Sequence, residues 1–271
     1  MITLIAVGAA FAGTTWEDVR AARGDAISTT TLAERGARTD VLVDLVRSAP
    51  SGKIAEDTLN RAKAVGLAVV RTGDALEVSE IAHGSEGFYA IRLGPSPPIA
   101  CAAPHPTYDK GTGEIVAGLF DRGTCRVALF ATAPRDVIDL AHEPDTLFQS
   151  LSGRLPEAVG DLWMVQIHGF APETTTGDAV LSDGAATLDP NELARARNAL
   201  AAATRWSIAE GGEVPALAAR TNVQSKALAH QARFLHVELS ADRRKALVAD
   251  PEQLTAFSRG ILAATREGTA P

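Results

Sequence analysis

The 271-residue chain has few cysteines and few aromatic residues, and it lacks a surplus of basic residues and a long apolar run. Its 2 cysteines are too few for a disulfide scaffold or a four-thiolate zinc site. A net charge of −7 disfavours a nucleic-acid partner, because phosphate binding relies on excess Lys and Arg. No apolar run reaches the ~18 residues that a membrane-spanning helix needs. What is present, 46% hydrophobic and 22% charged residues, is typical of a globular protein with a sizeable core.

The first residues admit two interpretations. Residues 1–13 are apolar and end in small side chains, like the hydrophobic part and cleavage site of a secretory signal. The stretch is short and has no basic leader, so a buried first strand is the equal alternative. A secreted or periplasmic location and a cytoplasmic one therefore both stay open. Cys101 and Cys125 could form one disulfide in an oxidising compartment, or remain two buried thiols in neighbouring strands.

The pattern along the chain predicts two parts. Residues 1–92 predict a small N-terminal α+β extension, and residues 93–271 predict an α/β domain because strand and helix patterns alternate there. Nearly continuous apolar runs predict buried strands at 99–103, 125–131, 162–167 and 234–239. Residues 171–188 are polar and rich in Gly and Thr, which predicts a long loop. The expected fold class is a three-layer α/β/α arrangement with a mixed central sheet.

Two histidines stand at the ends of predicted buried strands. His105 follows the first of them and His168 ends the third. Sites in open α/β sheets form beyond the carboxyl ends of strands, although a structural histidine is the alternative for each. Glu114 opens the helix that follows His105, and Asp109 is a competing carboxylate four residues after His105. Two imidazoles and one carboxylate are a ligand set of catalytic zinc sites.

Glu238 is an acidic residue in an otherwise apolar strand, where His236 shares its face. Removing a carboxylate from water costs several kcal/mol, so a buried Glu needs a partner. A salt bridge to Arg243 or Arg244 is one possible partner. A metal-bound water is the other, and Glu238 would then be its general base.

In their order, His105, Glu114, His168 and Glu238 resemble the site residues of the zinc amidohydrolases of the metallocarboxypeptidase-like superfamily. That group includes N-formylglutamate amidohydrolases, aspartoacylases and phage poly-γ-glutamate hydrolases. The resemblance runs over roughly residues 99–250. Five short segments carry it: Ala-Pro-His-Pro at 103–106, the helix at 114–120, Ala-Pro-Arg-Asp-Val-Ile-Asp-Leu at 133–140, Val-Gln-Ile-His-Gly at 165–169 and the stretch at 234–243 that contains Glu238.

The resemblance implies one Zn²⁺ ion held by His105, Glu114 and His168. It further implies Glu238 as general base and acid, and Arg135 as the group that binds a substrate carboxylate or the oxyanion. The implied activity is zinc-dependent hydrolysis of an amide or peptide-type bond in an N-acyl amino acid or a small peptide.

One matched segment departs from the family. The family's Asp-Leu-Asn-Arg is here Asp139-Leu-Ala-His142, so the pair that holds a free α-carboxylate is missing. His142 and Asn222 are the candidate substrate contacts in its place. A helix cap is the alternative role for His142, and a turn is the alternative for the polar stretch around Asn222.

Three other functions remain open from the sequence. The first is an extracytoplasmic hydrolase of isopeptide, poly-γ-glutamate or cell-wall peptide bonds. The second is a member of the same fold that binds a ligand without catalysis. The third is a different α/β hydrolase in which His105 and His168 are structural. The expected partner is a small-molecule or peptide substrate, and the oligomeric state is left open.

Overall fold

One mixed β-sheet forms the centre of the molecule. The computed structural model describes residues 19, 30–81, 86–175, 177–185 and 187–266, and the 1–13 segment lies outside them. Within these ranges nine strands pair into a single sheet in the order β1-β2-β3-β5-β4-β6-β9-β7-β8. The strands are β1 Leu67–Thr72, β2 Ala75–Glu80, β3 Gly87–Arg92, β4 Ile99–Ala103, β5 Val127–Ala131, β6 Trp163–Gly169, β7 Ala179–Ser182, β8 Ile208–Glu210 and β9 Arg233–Leu239.

Four parallel strands occupy the middle of this sheet. β5, β4, β6 and β9 are parallel neighbours, whereas β1 to β3 extend one edge with antiparallel pairing. On the other edge β7 is antiparallel to β9 and parallel to β8. Every residue of β4 and β5 is buried, as expected for strands covered on both faces.

Helices cover both faces of the sheet. They are α1 Leu32–Ser48, α2 Glu56–Ala64, α3 Thr112–Asp121, α4 Leu147–Arg154, α5 Pro156–Val159, α6 Pro190–Thr204, α7 Val223–Leu228, α8 Ala241–Ala249 and α9 Pro251–Ala264. One core joins the sheet to α3, α6 and α9 through residues such as Leu119, Leu200 and Phe257. The other joins it to α1 and α4 through residues such as Leu42 and Phe148. The predicted three-layer α/β/α class is therefore confirmed.

Sequence and structure differ at the predicted loop of residues 171–188. It contains β7, whose four residues are all buried between β9 and β8. So short a strand has too few residues for an alternating pattern, and its pairing with distant strands holds it in place.

β1 to β3, from the predicted extension, join the same sheet as the later strands. No helix of the described ranges is long and apolar enough to cross a membrane.

A disulfide ties β4 to the segment ahead of β5. Cys101 and Cys125 are bonded across a separation of 24 residues, and both are fully buried. Closing a loop of this length restricts the unfolded chain, so we expect reduction to lower the free energy of unfolding by about 3 kcal/mol. Urea unfolding of the oxidised and reduced protein measures this change. Reductant should have no effect on the control C101A/C125A double variant, and an unchanged wild-type midpoint after reduction would contradict the prediction.

A buried glutamate should make stability depend on pH. Glu86 is 3% exposed, and its carboxylate accepts a hydrogen bond from the Leu147 N–H. Burial, helped by the charge of Glu80, raises the pKa of Glu86 from 4.5 to about 6. The folded state therefore holds this proton more tightly than the unfolded state, and the wild type loses about 2 kcal/mol as pH rises from about 4.5 to above 6.

Glu86→Gln should remove that loss, because the amide oxygen can still accept from Leu147 and no charge forms. We expect the stability of the variant relative to wild type to be about 2 kcal/mol greater at pH 8 than at pH 4. Denaturant titrations at the two pH values measure the difference. A variant whose relative stability is the same at both would show that Glu86 titrates normally.

Candidate metal centre and catalytic site

The candidate site lies where three parallel strands end. His105 comes two residues after β4, His168 is near the end of β6, and Glu238 is near the end of β9. β6 and β9 are in register so that His168 lies beside Glu238. Because carboxyl ends of parallel strands meet at one edge, all three side chains line the same cavity of about 390 Å³.

Two imidazoles and a carboxylate converge at the base of this cavity. His105, Asp109 and His168 each place one potential ligand atom within 4.8 Å of the others. Oδ2 of Asp109 lies 3.7 Å from Nδ1 of His105 and 3.3 Å from Nδ1 of His168. All three side chains are buried. The arrangement matches the two-imidazole, one-carboxylate donor set of catalytic zinc sites.

The local fold explains why Asp109 reaches this point. Its backbone N–H donates to the His105 carbonyl at 2.8 Å, which closes a turn and brings the side chain back over the imidazole. The Gly169 N–H also donates to Oδ2, at 3.2 Å. Burial raises the pKa of Asp109, but the neighbouring imidazoles of His105 and His168 outweigh burial and hold the pKa well below the usual range. The carboxyl group is therefore ionised, as a metal ligand must be.

The Nε2 atom of each of these two imidazoles lies within hydrogen-bond distance of a side-chain oxygen. Nε2 of His105 lies 2.8 Å from Oδ1 of Asp139, and Nε2 of His168 lies 3.0 Å from Oε1 of Gln166. Metal-binding histidines commonly engage a carboxylate or carbonyl oxygen in this way. Nδ1 of His105 is buried and has no hydrogen-bond partner among the described residues. A buried nitrogen without a partner is costly, and a cation at this point would satisfy it, so the residues fit a metal ion.

Glu114, the ligand that the family resemblance implied, is in neither potential metal-binding group of the described ranges. It lies in the first turn of α3, beyond the turn that brings Asp109 back to His105. The structure thus places the competing carboxylate, Asp109, beside the imidazoles instead. The spacing of four residues between His105 and Asp109 was the sequence signal for this arrangement.

A second group overlaps the first. His168, His236 and Glu238 also place ligand atoms within 4.8 Å of one another. Oε2 of Glu238 is buried and has no hydrogen-bond partner in the described part of the chain. Burial, helped by the charge of Asp109, raises the pKa of Glu238 to about 8. A carboxyl group with such a pKa can hold a proton or release it near neutral pH, as acid–base catalysis requires.

The salt bridge considered for Glu238 is absent from the contacts of Arg243 and Arg244. Arg243 pairs with Asp178 at 2.8 Å. Arg244 donates to the carbonyl oxygens of Lys110 and Leu239. Both arginines are thus engaged by other groups, while Glu238 lines the cavity and its buried Oε2 has no hydrogen-bond partner among the described residues.

Arg135 and His142 lie on the cavity wall and share one anchor that the sequence analysis missed. Nε of Arg135 lies 3.2 Å from Oδ2 of Asp139, and Nδ1 of His142 lies 3.2 Å from Oδ1 of the same residue. Burial raises the pKa of Asp139, but its bonds to His105 and His142 bring it down to about 2. Asp139 thus contacts three cavity residues at once, whereas the sequence analysis named it only within the matched segment and gave it no role.

Asn222, the other candidate substrate contact, is 3% exposed and caps α7. Its Oδ1 accepts from the Ser225 N–H at 3.0 Å, and its Nδ2 donates to Oε1 of Gln166 at 2.6 Å. Both ends of the amide are therefore engaged inside the protein.

No family model matches the chain, and no curated protein matches it. Among solved structures, the chain is similar to N-formylglutamate amidohydrolase from Ralstonia eutropha JMP134, at 14% identity and a TM-score of 0.46, over 66% of this chain and 95% of that one.

Two further structures are similar over most of this chain. A bacteriophage poly-γ-glutamate hydrolase matches at 12% identity and a TM-score of 0.44, over 77% of this chain and 93% of that one. The succinylglutamate desuccinylase of Chromobacterium violaceum matches at 12% identity and a TM-score of 0.43, over 82% of this chain and 74% of that one.

Proposed function

We propose that this protein is a zinc-dependent hydrolase of an amide or peptide-type bond, acting on an N-acyl amino acid or a small peptide. The observation that carries the proposal is the convergence of His105, Asp109 and His168 on one buried point. Beside it lies the carboxyl group of Glu238, whose Oε2 has no hydrogen-bond partner among the described residues. Nitrogen and carboxylate donors together suit zinc better than calcium or magnesium, which prefer oxygen alone.

The proposed roles follow from the contacts. His105, Asp109 and His168 would hold the ion, which when bound would polarise a carbonyl group and lower the pKa of a water molecule to about 7. Glu238 would take the proton of the attacking water at its free carboxylate oxygen and later donate it to the leaving amine. Its raised pKa supports both halves of that transfer.

Arg135 would stabilise negative charge on the substrate. Its guanidinium group lies against the Tyr108 ring, 4.8 Å from the ring centroid, and is held by Asp139. A cation held at the cavity wall before substrate arrives can stabilise an oxyanion or a substrate carboxylate without reorganising. His142 is 47% exposed at its side chain, so it would contact substrate nearer the cavity mouth.

Asn222 takes a different role in this proposal. It lines the cavity, and its amide already donates to Gln166 and accepts from Ser225. We assign it to positioning rather than to substrate binding.

Metal analysis combined with an activity screen tests the proposed function. We expect one zinc ion per chain, loss of amide hydrolysis on chelation, and recovery when zinc is restored. The screen should contain N-acyl amino acids, dipeptides and γ-linked glutamyl peptides, so that the isopeptide alternative has its own substrate. A protein that binds no zinc would overturn the proposal, and one that binds zinc but cleaves nothing in the screen would favour a non-catalytic ligand-binding role.

A further inference from the structure

A chain of buried polar side chains runs from His168 into the protein. Gln166, Gln224 and Ser152 are fully buried, and Asn222 is 3% exposed. Gln166 Oε1 contacts both His168 Nε2, at 3.0 Å, and Asn222 Nδ2, at 2.6 Å. Gln166 Nε2 donates to Gln224 Oε1, and Gln224 Nε2 donates to Ser152 Oγ at 2.5 Å. We call these four residues the amide relay.

The direction of the hydrogen bonds in the amide relay is set by the backbone at one end. The Ser225 N–H can only donate, so it must face Oδ1 of Asn222. The Nδ2 group of Asn222 then points at Gln166, and only an oxygen can receive it. Gln166 therefore presents Oε1 on this side and its amino group to Gln224.

The other end of the relay agrees with this direction. The hydroxyl group of Ser152 donates to the Phe148 carbonyl at 2.7 Å, one turn earlier in α4. Its oxygen is left to accept from Nε2 of Gln224, and Oε1 of Gln224 accepts from Gln166. The hydrogen bonds therefore assign the same orientation to each amide of the relay, whether the assignment starts from Ser225 or from Ser152.

This direction has a consequence for His168. Oε1 of Gln166 can only accept, so Nε2 of His168 must carry the hydrogen. In a neutral imidazole the other nitrogen, Nδ1, then has the free lone pair. That is the nitrogen that lies 3.3 Å from Asp109 in the proposed ligand cluster.

We propose that the amide relay sets the tautomer of His168, and that Gln166 and Asn222 are positioning residues that keep its Nδ1 unprotonated and available as a ligand. The tautomer follows from the hydrogen bonds alone. Only the effect on metal affinity rests on the proposed function.

The tautomer can be measured in the metal-free protein. Two-bond ¹H–¹⁵N correlation spectra at pH 8, with His168→Ala used for assignment, report which nitrogen carries the hydrogen. We expect the Nε2–H form in the wild type. A wild-type His168 in the Nδ1–H form would overturn the proposal.

Two variants at Gln166 distinguish the effect of its hydrogen-bond acceptor from the effect of its packing volume. Gln166→Met has a similar volume but offers no acceptor, so the hydrogen should move to Nδ1, where Asp109 Oδ2 can accept it. Gln166→Glu keeps an oxygen beside His168, and the Nε2–H form should persist. If both variants keep the Nε2–H form, the relay does not set the tautomer.

A variant at Asn222 tests the relay at a distance. Asn222→Asp keeps the cap on α7 but offers only acceptors, so the Gln166 amide should turn its amino group towards it. The same amino group would then face His168 Nε2, and we expect the Nδ1–H tautomer. Because this residue reaches His168 only through Gln166, an unchanged tautomer here would contradict the relay even where Gln166→Met fails to fold.

The matched control is Thr124→Val. It removes a buried hydrogen bond of 2.6 Å to Ser258, a pair outside the cavity lining, and should lower stability without changing the tautomer of His168. A change of tautomer in this control would assign the effect to loosened packing and overturn the proposal.

Zinc affinity provides a second readout, by competition with a chromophoric chelator. Gln166→Met and Asn222→Asp should weaken zinc binding by roughly 10–100-fold, the usual effect of losing an outer partner of a ligand histidine. If the wild type and the variants show the expected tautomers but the wild type binds no zinc, the relay is supported and the proposed function is refuted. If the wild type binds zinc but its His168 is in the Nδ1–H form, the relay is refuted and the proposed function is supported.

Discussion

Glu238→Gln should lower kcat by about 1,000-fold while zinc remains bound, the size of effect expected when a general base is lost. The carboxylate of Glu238 lines the cavity, and its Oε2 is buried without a hydrogen-bond partner in the described residues. An amide of the same shape cannot take the proton of the attacking water or return it to the leaving amine. The residues of the proposed ligand cluster are unchanged, so metal content should match the wild type.

The measurement is kcat on the best substrate of the screen, paired with zinc content of the same sample. Glu86→Gln is the matched control, because it also replaces a buried glutamate with raised pKa but lies outside the cavity lining. We expect the control to keep wild-type kcat. Glu238 loses the base role if its variant retains most of the activity with zinc bound.

Asp109→Ala should have the second large effect, the loss of zinc binding. Asp109 Oδ2 lies 3.3 Å from Nδ1 of His168, and the carboxylate is ionised. Removing a direct ligand should weaken zinc binding by more than the roughly 100-fold upper range for an outer partner. Glu114→Ala should bind zinc like the wild type, since Glu114 is in neither ligand group of the described ranges.

Chelator competition on both variants measures the contrast, with far-UV circular dichroism to confirm that each is folded. The pair is informative because the two acids lie only five residues apart, Asp109 between β4 and α3 and Glu114 in the first turn of α3. Loss of zinc in the Glu114 variant and retention in the Asp109 variant would restore the ligand set that the family resemblance implied.

The layers of the fold could be predicted from the sequence because a strand that is buried on both faces consists almost entirely of apolar residues. β4, β5, β6 and β9 appear as nearly continuous apolar runs, and the helices that cover them show helical apolar spacing. β7 and β8 have four and three residues, too few for a periodic pattern, so their place in the sheet could not be predicted.

The candidate site was predictable in part for the same reason. His105, His168 and Glu238 interrupt or end apolar strands, and polar residues at such points are expected only where they have partners. The choice between Asp109 and Glu114 was different. Both follow His105 at short spacing, and only the turn closed by the Asp109 N–H decides which carboxylate reaches the imidazoles.

By itself the sequence determined that this chain forms a three-layer α/β protein with imidazole and carboxylate groups at strand ends. The reason is that the spacing of apolar residues along the chain indicates both secondary structure and burial. The tertiary structure alone decided which of those groups meet. Asp139 engages His105, Arg135 and His142, and the relay through Gln166 orients His168. These contacts join residues up to tens of positions apart, and hydrogen bonds depend on distances and directions that only the folded chain defines.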